Sequence, residues 1–217
     1  MKQTLRTCIY FGCVVGLTML PLSAQESAYG FFTAAAGAGF STPVYRTGSN
    51  LDTGWNFRGQ AGVNLFDGHL GLLGEFAFDD MGVNSGVLNS LGYPGGVARV
   101  YAFNFEPTIR FYTHGRATAY VMGGPGVYTR TLEFTAPTVA VVTGFSPFFG
   151  IYNYGVPAQQ VLASYTTTRL GVNGGLGFDF RMGSGKNKFF AEARYTQMYT
   201  NTGHPMAWVP VSFGFRW

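Results

Sequence analysis

Apolar and polar residues alternate along most of this chain. In residues 54–66, Trp55, Phe57, Ala61, Val63 and Leu65 share one parity, and Asn56, Arg58, Gln60 and Asn64 the other. In 69–80, Leu70, Leu72, Phe76 and Phe78 oppose Glu75 and Asp79; in 101–112, Tyr101, Phe103, Phe105, Ile109 and Phe111 oppose Asn104, Glu106, Thr108 and Arg110. Residues 169–181 set Leu170, Val172, Leu176, Phe178 and Phe180 against Arg169, Asn173, Asp179 and Arg181. In 189–199, Glu192 and Arg194 share a parity opposite to Tyr195 and Tyr199. A period of two is the mark of extended chain, whose successive side chains point to opposite faces. Within each strand the charges keep to one face, apart from Asp80, at a strand's outer end, and Arg99, whose outward parity suits a rim position.

Three further segments complete a set of eight strands. They are 29–40, where alternation is weak and the facing is left open, the glycine-rich 117–134, and 206–217, whose "VPVSFGFRW" places Val211, Phe213, Phe215 and Trp217 opposite Ser212 and Arg216. The connections alternate in length. Residues 66–69, 113–116 and 182–187 are tight turns, whereas 41–53, 80–97, 135–161 and 200–205 are mostly long. Such alternation is expected when one end of an up-and-down barrel faces the periplasm and the other the exterior.

Composition decides which medium the apolar face meets. Charged residues make up 11% of the 217 and aromatics 17%, with 32 glycines; soluble domains carry about 25% charge. Residues 1–24 read as an export signal: Lys2 and Arg6 precede the apolar "TCIYFGCVVGLTML", and "LSA" ahead of Gln25 resembles a cleavage site. The alternative, a membrane anchor, needs about 20 apolar residues, and Pro21 ends the run first. Export would remove Cys8 and Cys13, and with them disulfide, zinc and thiol chemistry. It would leave 12 basic against 10 acidic residues, scattered singly, which is no nucleic-acid surface. The longest uncharged stretch, 134–168, is broken by Pro137, Gly144, Pro147, Gly150, Gly155 and Pro157, so no helical span follows the signal.

An exported, apolar chain without spanning helices can enter lipid as a closed barrel, in which every backbone hydrogen bond runs between strands. The expected fold is all-β: an eight-stranded antiparallel up-and-down transmembrane β-barrel over 25–217. Soluble eight-stranded barrels are the alternative, but they fill the interior with apolar side chains and present polar ones to water. Here the continuous, aromatic face is the uncharged one.

The segments "EPTIRFYTHGRATAYVMGGPGVY" and "HPMAWVPVSFGFRW" resemble the small outer-membrane β-barrel domain family that includes the OmpA-like, OmpX-like and OmpW-like barrels. The resemblance spans roughly 29–217. It implies residence in the Gram-negative outer membrane among its lipids, as a monomer, with the terminal aromatic of the last strand (Phe213, Phe215, Trp217) recognised by the barrel-assembly machinery. Trp also favours a lipid–water interface on its own account.

Parity points eleven charges inward: Arg58, Glu75, Glu106, Arg110, Arg130, Arg169, Asp179, Arg181, Glu192, Arg194 and Arg216. A salt-bridge and water network plugging the barrel is expected, with a polar conduit, anion-favouring through its arginine excess, as the alternative. Catalytic candidates are weak. His69 and His114 sit at short turns; His204, on an outer connection, is the one imidazole within reach of Asp79 and Asp80 above the rim; no cofactor or enzymatic role is expected. "DDMGVNSG" offers Asp79, Asp80, Asn84 and Ser85 without the spacing of a calcium loop. The connection 135–161 is unusual in holding Phe145, Phe148, Phe149, Tyr152 and Tyr154 without a charge: its ends are expected to extend the fifth and sixth strands with the tip packed on other loops, and the alternative is a contact surface for an extracellular partner or hydrophobic ligand. The expected role is structural or surface-interacting, the runner-up a narrow channel for small hydrophobic or anionic solutes. Deleting Trp217 should lower the fraction of protein that inserts and migrates faster unheated than boiled on an SDS gel; an unchanged fraction would remove that residue from assembly.

Overall fold

The computed structural model describes residues 30–112, 116–183, 187–201 and 203–217. The export signal 1–24 with Cys8 and Cys13, His114 with most of its turn, and part of the 182–187 turn lie outside the described residues. Eight strands follow in order: β1 (Phe32–Pro43), β2 (Gly54–Leu65), β3 (Leu70–Gly82), β4 (Gly95–Tyr112), β5 (Ala117–Ser146), β6 (Gly150–Arg181), β7 (Lys188–Met198) and β8 (Met206–Arg216). Each pairs antiparallel with its neighbours in sequence, and β8 pairs with β1, from Ala35↔Arg216 to Pro43↔Trp208, so the sheet closes. No strand edge is then left unpaired at the seam.

The facing of β1 is resolved by its burial: Thr33, Ala35 and Ser41 point inward, and Phe32 and Phe40 outward. Its alternation was faint because small residues occupy both faces. On β8, Phe213, Phe215 and Trp217 face outward and Ser212 and Arg216 inward, as the parity requires. Outside, Trp55, Phe78 and Tyr101 form an aromatic ladder across β2, β3 and β4, with ring centroids 5.0 and 4.9 Å apart. In the register row of Trp55, one step toward the outer end from Phe78 and Tyr101, Arg99 bridges Asp80 (3.3 Å) and Glu133 (2.7 Å) on the outer wall, which places Arg99 at the rim of the apolar band.

The glycines of β6 have a packing role. A side-chain carbon at Gly177 would lie 2.5 Å from the Tyr120 ring, and one at Gly171 2.8 Å from that of Tyr128. Both tyrosines on β5 are thereby admitted to the narrow interior. The turn at 66–69 is a single 3-10 turn in which Asp67 and Gly68 take φ of 54° and 88°, the left-handed region that reverses the chain tightly.

The outer end is elaborated. A short helix α1 (Arg46–Asn50) joins β1 to β2, and α2 (Ser85–Leu91) joins β3 to β4. Asn84 caps α2 by accepting from the Gly86 amide (2.9 Å), and its amide group donates to Asp52 (3.0 Å), which ties the two connections together. The connection expected over 135–161 is almost entirely strand. β5 runs to Ser146 and β6 starts at Gly150, while pairing of β5 with β4 stops at Thr135 and of β6 with β7 at Gly171. The register shifts between Phe134 and Thr135, where the two-stranded ribbon leaves the barrel. Strands of about 9–11 residues cross a bilayer; those of 30 and 32 residues therefore project well beyond it. Gly177→Val should displace Tyr120 and cost about 1–3 kcal/mol, read as a lower urea midpoint for unfolding from detergent micelles.

Candidate functional site

Three layers stack along the barrel axis. The lowest, nearest the short turns, is ionic. At its centre Glu75 of β3 accepts from Arg58 of β2 at 2.9 Å, Arg194 of β7 at 2.7 Å, Gln60 at 3.0 Å and Asn104 at 3.1 Å. Arg194 also bridges Glu192 at 2.8 Å and makes a close pair with Glu106 of β4. Glu192 takes further hydrogen bonds from Tyr120 and Gln60, both at 3.1 Å. Toward the short turns, Asp179 of β6 lies 3.4 Å from Arg216 of β8 and 4.0 Å from Arg110 of β4. Arg110 donates to the Asn64 side chain (2.8 Å) and the Gly68 carbonyl (3.1 Å), and the Arg216 guanidinium lies over the Tyr120 ring at 4.9 Å. Toward the outer end, Arg58 reaches Asp79 (3.4 Å), which also accepts from Ser41. Asn56 and Ser212 continue the chain of hydrogen bonds around the seam.

Eight of the eleven residues assigned inward by parity are in this network: Arg58, Glu75, Glu106, Arg110, Asp179, Glu192, Arg194 and Arg216, all essentially buried. Three are not. Arg181 has the inward parity but ends β6 at the short-turn rim, exposed to solvent. Arg130 and Arg169 face inward at the outer mouth, above the network, and no carboxylate among the described residues pairs with either. Two others belong inside. Asp79 lies on the Glu75 face, where its parity pointed, and Lys188 is buried opposite Arg216 and Arg181 in the register. The buried charges are then Arg58, Arg110, Lys188, Arg194 and Arg216 against Glu75, Asp79, Glu106, Asp179 and Glu192. The arginine excess expected inside is absent, because a low-dielectric interior tolerates charge only where it is compensated.

Above the ions lies an apolar layer unforeseen from the sequence. Trp208, Met81, Val100, Met198, Met206 and Tyr128 are buried together within the wall. Trp208 was legible in principle, since it shares the parity of Ser212 and Arg216. The third layer is the mouth, a cavity of about 540 Å³ beneath α1 and α2. Its apolar floor includes Leu51, Val83, Ala98, Leu132, Phe134 and Met206, its polar lining includes Arg46, Arg130 and His204, and no lining residue is acidic.

The catalytic and calcium constellations do not assemble. Asp79 is inside on Ser41 and Arg58, Asp80 is outside on Arg99, and Asn84 is the helix cap. His204 is an exposed residue of the mouth, and His69 is exposed at the short-turn end. Phe145, Phe148, Phe149, Tyr152 and Tyr154 all lie on the projecting ribbon and are exposed, Phe148 to 90%.

A closed eight-stranded barrel with an aromatic exterior and a charge-compensated interior defines an integral membrane barrel. The outer membrane protein β-barrel domain matches residues 13–212, and the chain belongs to that family and resides in the cell outer membrane. Neisserial surface protein A superposes with a TM-score of 0.55 at 14% identity, over 86% of this chain and 96% of that one. Ail, the attachment invasion locus protein of Yersinia pestis, gives 0.44 at 17% identity over 85% and 98%. At these identities the likeness is one of fold. No curated protein matches the chain. Glu75→Ala would strand Arg58 and Arg194 beside one another and should cost about 3–5 kcal/mol in a urea titration of the refolded barrel; an unchanged midpoint would mean that water already screens these charges.

Proposed function

We propose that this protein is a non-catalytic outer-membrane barrel with a plugged interior, whose function is carried by the ribbon of β5 and β6 beyond residue 135. The observation that carries this reading is the ribbon itself. From Ala136 to Ser146 and from Gly150 to Thr168 the two strands pair only with each other and hold no charged residue. They expose Val139, Val141, Phe145, Phe148, Phe149 and Ile151. Free strand edges of this length are templates for another extended chain. Natural edges are usually blunted with charge; this one carries none and presents tyrosine and phenylalanine instead. The partner that fits is an extended, weakly charged polypeptide segment on an extracellular protein, added to the ribbon edge and packed on its aromatic side chains.

The layers beneath support a closed rather than a conducting barrel, since Trp208 and its neighbours stand between the mouth and the ion network. The outward series Phe213, Phe215 and Trp217 supports β8 as the strand that the assembly machinery engages. The second reading, a narrow path for small hydrophobic or anionic solutes, is favoured by the open mouth cavity alone.

Refolded protein in planar bilayers should be silent, and steady single-channel conductance would establish the second reading. Replacing 138–158 by a short turn should leave a heat-modifiable barrel but abolish binding of expressing cells to immobilised extracellular-matrix proteins. Equal binding with and without the ribbon would sink the surface-contact role.

A further inference from the structure

The positive charge that the interior does not hold is concentrated at the mouth. Arg130 of β5 stands opposite Thr167 of β6, and Arg169 stands opposite Tyr128. The two arginines are thus diagonal neighbours on the inward face of one ladder, close enough for long side chains to meet. Neither has a carboxylate partner among the described residues, and Arg169 donates only to the Thr168 carbonyl, at 3.3 Å. Like charges side by side repel, and an anion between them would relieve that repulsion. The ten buried charges of the barrel balance five against five, and Arg130 and Arg169 stand outside that balance.

The surroundings are equally specific. Arg130 lines the cavity of about 540 Å³, which also takes in Arg46 and an apolar set of side chains with no acid; Arg169 is outside that lining and adjoins it through Arg130. Asp52, on the connection beside it, is engaged by Asn84 and is not among the lining residues. A concave apolar chamber of this size with a few convergent polar groups suits one small molecule. Guanidinium groups bind carboxylates through paired N–H donors.

We propose that the outer mouth binds a small amphipathic carboxylate, with its anion held between Arg130 and Arg169 and its apolar body against Leu51, Val83, Phe134 and Met206. The site is separate from the ribbon and stands whether or not the ribbon has a partner. Because Trp208 and the ion network lie below it, the ligand is held at the mouth from the external side. The chemistry needed is one anionic head and an aryl or short alkyl body, as in an arylalkanoate.

The test is calorimetry on the refolded full barrel in phosphatidylcholine nanodiscs, with empty discs subtracted, using 4-phenylbutyrate, 4-phenylbutanol and acetate. The acid should bind saturably, and the alcohol and acetate each at least tenfold more weakly, since each lacks one half of the recognition. The double substitution Arg130→Gln with Arg169→Gln should weaken the acid at least tenfold and leave the alcohol unchanged, with assembly checked by the heat-dependent gel shift. Val87→Trp, which keeps both arginines and fills the chamber, should abolish saturable binding and serves if the double variant does not assemble. Equal affinities for acid and alcohol, equal affinities for acid and acetate, no saturable heat above empty discs, or an acid affinity untouched by both variants would each overturn the proposal.

Discussion

Inside hydrocarbon there is no water to take a backbone hydrogen bond, and the sheet must therefore close on itself. The seam between β1 and β8 meets that demand, and the remaining architecture follows from it. Closure with eight strands leaves an interior only wide enough for side chains. Because alternate residues on every strand point into that space, the polar half of each strand has nowhere else to go. Ten buried charges have to neutralise one another there, and they do so around two hubs, Glu75 with Arg194 in the middle and Asp179 with Arg216 near the short turns. The same crowding explains the pairing of glycines with tyrosines. Gly171 and Gly177 on β6 yield the volume that Tyr128 and Tyr120 on β5 occupy.

The layering along the axis separates tasks that a single polar lumen would mix. Ion pairs hold strands distant in sequence together, as Arg194 of β7 does with β3 and β4. The apolar layer around Trp208 is buried above them, and apolar surroundings strengthen an ion pair by lowering the local dielectric. The inward cations Arg130 and Arg169, which have no carboxylate partner among the described residues, stand at the mouth. Outside the membrane the constraint that closed the sheet no longer applies, and β5 and β6 continue as a ribbon with open edges. Both the mouth and the ribbon thus sit where the fold no longer dictates the side chains, the usual place for function in a scaffold of this kind.

Much of this was legible from parity. The eight strands, their alternating short and long connections, the outward Phe213, Phe215 and Trp217, and eight of the interior charges follow from a period of two, because a strand that faces lipid on one side leaves no freedom about which residues turn inward. The misses have particular causes. Asp79 sat on the correct face but beside Asp80, and the pair read as a strand end. Lys188 adjoined a glycine-rich turn. Arg181 kept the right parity at a position where the strand had already emerged into solvent. Extension of the fifth and sixth strands into 135–161 was expected at its ends, but the ribbon's full length was hidden because Pro137, Gly144 and Pro157 punctuate it as they would a loop, although prolines are tolerated on edge strands whose N–H would have had no partner.

By itself, then, the amino-acid order determined the fold class, the medium and the inward face of nearly every strand, since those depend only on alternation and on the scarcity of charge. Which charges pair, that Trp208 and the methionines cap them, and that Arg130 and Arg169 are left together without an acid were decided by the tertiary structure. These depend on the register between strands far apart in the chain and on how high each residue stands in the barrel, and no local pattern encodes either quantity.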